Sequence, residues 1–310
     1  MKKRLVLAAA MILALSLSAC GAKEAETEAQ TTAAAETEAA GSGTETEAAE
    51  TEAEEAQTAA EAASDEAAAE SDMAYVKDKG TLVVGITNFE PMDYPDADGN
   101  WIGFDADMAN AFAESLGVKA EFIEINWDYK VMELDGQNID CVWNGMTLTD
   151  EVKAAMEVSE PYCENAQVLV VPADKAADYE GLSSLEGLNV AVESGSAGED
   201  AALALGASTV PVQTQADTLM EVSAGTSDAA VIDLLMAGAM IGEGTSYEDL
   251  TFTLNLNEAQ GLPSEEYGVG FRKGSDLAAA FNEFWAEKAA DGTALEIATT
   301  YGLQDAVILE

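Results

Sequence analysis

Over residues 73–310, short apolar runs alternate with amphipathic stretches, the pattern of an α/β protein. The runs at residues 82–86, 121–125, 139–143, 168–171, 190–192 and 229–232 predict buried parallel strands, because both faces read as apolar. Helical periodicity fills most of the intervals. In residues 107–116, Met108, Phe112 and Leu116 share one face and Gly117 supplies a stop. A second stripe of Leu277, Phe281, Phe284 and Trp285 begins after Ser275. Both stripes are assigned to core, and Trp101, Trp143 and Trp285 to core or surface.

The first 72 residues break this pattern twice. Met1-Lys2-Lys3-Arg4 is a positive lead into an apolar stretch, residues 5–17, that is too short to span a bilayer. It ends in Leu17-Ser18-Ala19-Cys20-Gly21, which resembles the bacterial lipobox, so residues 1–19 are expected to be cleaved and Cys20 to carry the lipid. The alternative is an ordinary secretory signal with an incidental cysteine. Residues 21–72 are then built from Ala, Glu and Thr with a lone lysine, Lys23. Low hydropathy with high negative charge favours an extended, solvated tether, and a partial Ala/Glu-rich surface helix is the alternative.

Composition narrows the chemistry. With 48% hydrophobic residues in 310, the chain can build real cores. A net charge of -46, from 13 Lys and Arg against 59 Asp and Glu, repels phosphate backbones, so nucleic acid is not expected as a partner. The absence of histidine removes imidazole from any mechanism, so Ser-His hydrolysis is excluded, together with most transition-metal sites. After Cys20 only Cys141 and Cys163 remain, and no spacing suggests a metal. Cys141 reads as a small buried hydrophobe, and a Cys141 to Cys163 bridge stays open.

An ordered series of motifs then carries a family resemblance. Pro91-Met92-Asp93-Tyr94, a turn at Asp98-Gly99-Asn100 and Gly103-Phe104-Asp105-Ala106-Asp107-Met108-Ala109 come first. Asn144-Gly145-Met146-Thr147-Leu148-Thr149-Asp150-Glu151, Ser159-Glu160-Pro161-Tyr162 and Glu193-Ser194-Gly195-Ser196 follow. The series closes with Asp228 to Asp233 and Tyr267-Gly268-Val269-Gly270-Phe271. In order and spacing over residues 79–305, it resembles the extracellular solute-binding proteins of polar amino-acid ABC importers. The resemblance implies a two-lobed fold of the periplasmic-binding-protein type II class, with ligand in the cleft between lobes. Lobe one would comprise residues 73–164 and 266–310, and lobe two residues 165–265, with crossings near residues 163–167 and 262–267. Hinge closure around a small polar ligand, most simply an amino acid, would precede delivery to permease subunits in the membrane. A lipid-anchored monomer without cofactors, on the outer face of the cytoplasmic membrane, is expected.

The resemblance also implies a site. Asp233 falls where the family pairs a carboxylate with the ligand ammonium, although a helix N-cap would also explain it. The carbonyl of Gly145 and hydroxyl of Thr147 would complete that cage; a strand-end turn and a helix cap are the plainer explanations. The turn at Gly195 and Ser196 would offer N–H groups to the ligand carboxylate ahead of a helix beginning near Gly198. Phe89 and Trp127 match the aromatic positions that sandwich the ligand, with core packing as the alternative for Trp127. Glu193 occupies a position that reads the ligand side chain, or else it is a solvated strand end.

Two departures stand out. Val152 replaces the arginine that grips the ligand carboxylate in the family, and Arg272, the only arginine past the signal segment, is expected away from the cleft. Either the turn at Ser196 and the Thr147 backbone do that work alone, or Lys130 or Lys153 substitutes, or the ligand lacks an α-carboxylate. Ile86 stands where several relatives carry an aspartate. A cyclohexadienyl-dehydratase-like enzyme on the same scaffold is disfavoured by the missing arginine clamps. A sensory module, normally fused to a membrane-spanning helix and a cytoplasmic output, is disfavoured because no such segment follows Glu310.

Overall fold

The computed structural model describes residues 71–309. The expected lipid site at Cys20 and the acidic tether lie outside the described residues.

Two five-stranded sheets organise the chain. The first has the order Lys119–Glu124, Thr81–Ile86, Cys141–Val142, Gly270–Phe271, Glu157–Val158. The second runs Ser208–Val212, Asn189–Glu193, Ala229–Asp233, Gln167–Pro172, Leu250–Asn255. Between the sheets the chain crosses twice, and the crossings Cys163–Asn165 and Glu265–Tyr267 pair antiparallel as a two-stranded ribbon. This is a two-lobed type II fold, with each lobe built on its own sheet.

The first sheet owes its core to aromatic side chains. The helix Phe104–Leu116 and the helix Leu277–Asp291 lay Phe112 and Phe281 against each other, with ring centroids 5.6 Å apart, and Trp143 meets Phe281 edge-on at 4.9 Å. The first helix begins three residues earlier than its apolar period announces. Asp105 and Asp107 in its first turn complement the helix dipole, and the Asp105 and Ala106 N–H groups donate to the Met92 carbonyl. Leu169, Val171, Val190, Val192 and Val231 fill the core on one face of the second sheet.

Three strand expectations need correction. Gln167–Pro172 is antiparallel to both its neighbours, because it enters the sheet straight from the hinge ribbon with no helical crossover to reverse its direction. The run near residue 121 is an edge strand, Lys119–Glu124, which among the described residues pairs only with Thr81–Ile86 and leaves Glu121 and Glu124 exposed. The strand expected over 139–143 has shrunk to Cys141–Val142, since Asp140 turns its carboxylate to Lys79 and the Val83 N–H. Cys141 and Cys163 are buried free thiols, so the bridge left open does not form.

Candidate functional site

Parallel strands point their C-terminal ends to one edge of a sheet, and connections there build crevices. Asn189–Glu193 and Ala229–Asp233 end at such an edge, carrying Glu193 and Asp233 on their last residues. On the first sheet, Asn144 and Gly145 follow Cys141–Val142. Between these lies a cavity of about 260 Å³, a small-molecule volume. Its wall includes Trp127, Lys130, Gly145, Thr147, Val152, Glu193, Gly195, Ser196 and Asp233. All the expected cleft residues except Phe89 therefore come together.

Phe89 requires a correction. Its ring packs edge-on to Tyr267, 6.4 Å between centroids, and lies behind Gly145, where a Cβ would approach Phe89 Cε1 to 2.6 Å. It backs the wall rather than facing the cavity. Gly145 takes φ +55°, and its N–H donates to Asp105 Oδ2 at 2.7 Å; both the close approach of Phe89 and the turn require glycine here. Asp105 also accepts from the Tyr162 hydroxyl at 2.8 Å, and burial pushes its carboxyl up to about 7.

Asp233 is buried and stands at the N-cap position of the helix Leu234–Met240, but its side chain makes no capping hydrogen bond. Its Oδ1 accepts from Asn165 Nδ2 and from Gln167 Nε2 at 2.9 Å, its Oδ2 accepts from Gln215 Nε2, and its own N–H donates to Gln215 Oε1 at 2.9 Å. Amides orient this carboxylate without neutralising it. Burial first, then the nearby Glu265 charge, raise its carboxyl to about 7. Thr147 Oγ1 donates to Glu265 Oε2 at 3.1 Å, and Gln167 Nε2 reaches the same oxygen at 2.8 Å, so the hinge strand joins the network.

Glu193 is 2% exposed, and its Oε1 has no hydrogen-bond partner among the described residues. Burial, followed by repulsion from Asp233, pushes it up to about 8. The solvated strand end weighed for this residue is thereby corrected.

The expected carboxylate-binding turn is partly occupied from within. Gly195 N–H donates to Glu199 Oε2 at 2.8 Å, and Ser196 Oγ caps the helix Ala197–Ala204 by accepting from Glu199 N–H at 3.1 Å. Of the two lysines considered, Lys153 is exposed and off the cavity wall, whereas Lys130 lines it. Lys130 Nζ donates to the Gly195 carbonyl at 2.9 Å and the Trp127 carbonyl at 3.3 Å, 5.0 Å from the centre of the Trp127 ring. Burial lowers its pKa despite the carboxylates around it. It thus ties the first lobe to the second. The Val152 N–H donates to Thr149 Oγ1, which caps the helix Asp150–Ala155, and Val152 shows the cavity an apolar surface. Arg272 lies elsewhere, bound to Asp72.

Asn165, Gln167, Gln215 and Glu265 complete the site without local signals in the sequence. Each is a single amide or acid in an apolar strand, a helix start or the hinge, and only the tertiary fold brings them to Asp233.

Two lobes joined by a double crossing, with a polar cavity at the strand ends between them, define a solute-binding protein. Residues 82–304 match the family model for bacterial extracellular solute-binding proteins, family 3, and the chain belongs to that family. It is 30% identical over 223 residues to the L-cystine-binding protein TcyJ of Escherichia coli (strain K12), covering 70% of this chain and 81% of that one. A crystal structure of a mutant ArgBP from T. maritima superposes with a TM-score of 0.66 at 29% identity, over 74% of this chain and 98% of the other. An ancestral amino acid-binding protein, a precursor of cyclohexadienyl dehydratase, matches with TM-score 0.66 and 29% identity, over 74% and 99% of the two chains. These relatives are binding proteins, and the family is extracellular or periplasmic. No helix of the described residues is long and apolar enough to cross a membrane.

Proposed function

We propose that this chain captures an amino acid for an ABC importer at the outer face of the cytoplasmic membrane, held there by a lipid on Cys20 and acting as a monomer. Asp233 receives the ligand ammonium, the Gly145 carbonyl and Thr147 complete its cage, and Trp127 covers the ligand. Residues 73–164 with 266–310 form one jaw and residues 165–265 the other. The ribbon of Cys163–Asn165 and Glu265–Tyr267 is the hinge, and the closed form presents the ligand to the permease.

One observation carries this reading: a buried carboxylate, Asp233, faces a small cavity, held by amides and with no cation beside it. Such a group is costly when empty and is relieved by an incoming ammonium. The chain is read as a binding protein rather than an enzyme, in line with its curated relatives.

A thermal-shift screen of the mature chain against the amino acids tests the ligand class. At least one should raise the melting temperature in the concentration-dependent way of tight binding. A flat response to all of them would overturn the amino-acid reading. For the anchor, Cys20→Ala should release the protein from the membrane fraction, and continued membrane retention of the variant would contradict lipidation at that residue.

A further inference from the structure

The cavity wall is acidic beyond what one ammonium requires. Asp128, Glu151, Glu193, Asp200 and Asp233 line it, against a single ammonium, Lys130, which is engaged by two carbonyls. An acidic wall alone would show little, but Glu193 adds an independent sign: it is almost wholly buried, and Oε1 is unpartnered among the described residues. The Thr87 hydroxyl within its reach donates instead to Asn144 Oδ1 at 2.9 Å. Buried polar oxygens in native proteins are almost always satisfied, so an unsatisfied one facing a cavity calls for a donor from outside.

We propose that the site selects a compact organic dication, one positive nitrogen on Asp233 and the second on Glu193, and that a ligand carboxylate is dispensable. This rests on the reading of the cavity as the ligand site and names the class of ligand that it takes. Glu193 and Asp233 end neighbouring parallel strands and both line the one cavity, so a single small ligand can reach both carboxylates. The donors expected for a carboxylate are weak here. Val152 offers none, the Gly195 N–H is held by Glu199, and the Thr147 hydroxyl by Glu265. A carboxylate would in addition face the acidic wall, whereas a second ammonium is attracted by it.

Binding of the dication should also displace protons. The charged groups around Glu193 are Asp233, Asp217 and Lys130, and those around Asp233 include Glu265. Repulsion and burial keep both carboxyls partly protonated near neutral pH in the empty site, and a cation stabilises their ionised forms.

Calorimetric titration of the mature chain with lysine, cadaverine and norleucine separates the contributions. Lysine and cadaverine share two ammonium groups and differ in the carboxylate; norleucine keeps the carboxylate and lacks the second ammonium. Cadaverine should bind within about tenfold of lysine, and norleucine at least about 30-fold more weakly, the loss expected when a buried charge loses its partner. Repeating the lysine titration in buffers of different ionisation heat should show proton release. Glu193→Gln should erase the lysine-over-norleucine preference and reduce that release, which a purely structural role would not do. Equal affinity for norleucine and lysine would sink the dication while leaving amino-acid capture intact. Lysine binding without cadaverine binding would restore the carboxylate as essential and overturn the proposal, as would unchanged discrimination in Glu193→Gln. Failure of all three probes would overturn it too, and a response to some other amino acid in the thermal screen would then show that the capture reading survives.

Discussion

Asp140 and Glu193 are both fully buried carboxylates, and the protein treats them in opposite ways. Asp140 sits beneath the first sheet, accepts from Lys79 Nζ at 2.6 Å and the Val83 N–H at 2.6 Å, and has Arg272 Nη2 at 3.5 Å. Arg272 also binds Asp72 at 2.9 Å and donates to the Ile139 carbonyl at 2.7 Å, tying the first described helix and the returning segment to one point. Asp233, at the cleft, is held by amides, and Glu193 leaves Oε1 without a hydrogen-bond partner among the described residues; neither forms an ion pair there. At Asp140 the charge is balanced within the chain; at Glu193 and Asp233 the balance is left to the ligand.

The largest expected effect breaks the structural half of this comparison. Asp140→Ala leaves Lys79 and Arg272 without their shared partner and should lower stability by about 3–5 kcal/mol in chemical denaturation. Ligand affinity of the folded fraction should be unchanged. Asp233→Ala should do the reverse, weakening binding by roughly 30-fold or more in calorimetry, which corresponds to about 2–5 kcal/mol, with little loss of fold.

A smaller effect appears in the pH dependence of the empty protein. Glu193 is held at about 8 against an ordinary 4.5, and Asp233 at about 7 against 3.8. Across the window from the ordinary values up to these raised ones, the native state holds more protons than the unfolded chain. Stability contributed by these groups is therefore present at low pH and lost as pH rises toward about 8. Melting curves of the empty protein between those limits should show this fall, and Glu193→Gln should flatten it. The smallest effect sharpens the comparison from the other wall: Val152→Arg should favour lysine over cadaverine by about tenfold, by giving the carboxylate a fork to bind.

Much of this was legible in the sequence because motifs and residues at strand ends travel together. Asp233, Glu193, Gly145, Thr147, Gly195 and Ser196 all sit at turns after apolar runs, and the fold brings them to one cavity. Phe89 was misplaced because its aromatic character does not say which side of Gly145 it occupies, and only tertiary packing against Tyr267 and Gly145 decides this. The antiparallel strand Gln167–Pro172 could not be distinguished from a parallel one, since a buried strand is apolar on both faces in either direction. Gln215 and Glu265 were invisible for a different reason. Their partners lie 18 residues away for Gln215 and up to 118 for Glu265, so no local spacing records them.

The central claim is that the cleft carboxylates serve the ligand at the expense of the empty fold. Thermal melting of Glu193→Gln against the parent, above the pH of about 8 where Glu193 ionises, tests it with and without saturating lysine. The empty variant should melt at a higher temperature than the empty parent, and lysine should raise its melting point less. A variant that melts lower when empty, yet gains as much from lysine as the parent does, would contradict the account and make Glu193 a structural residue.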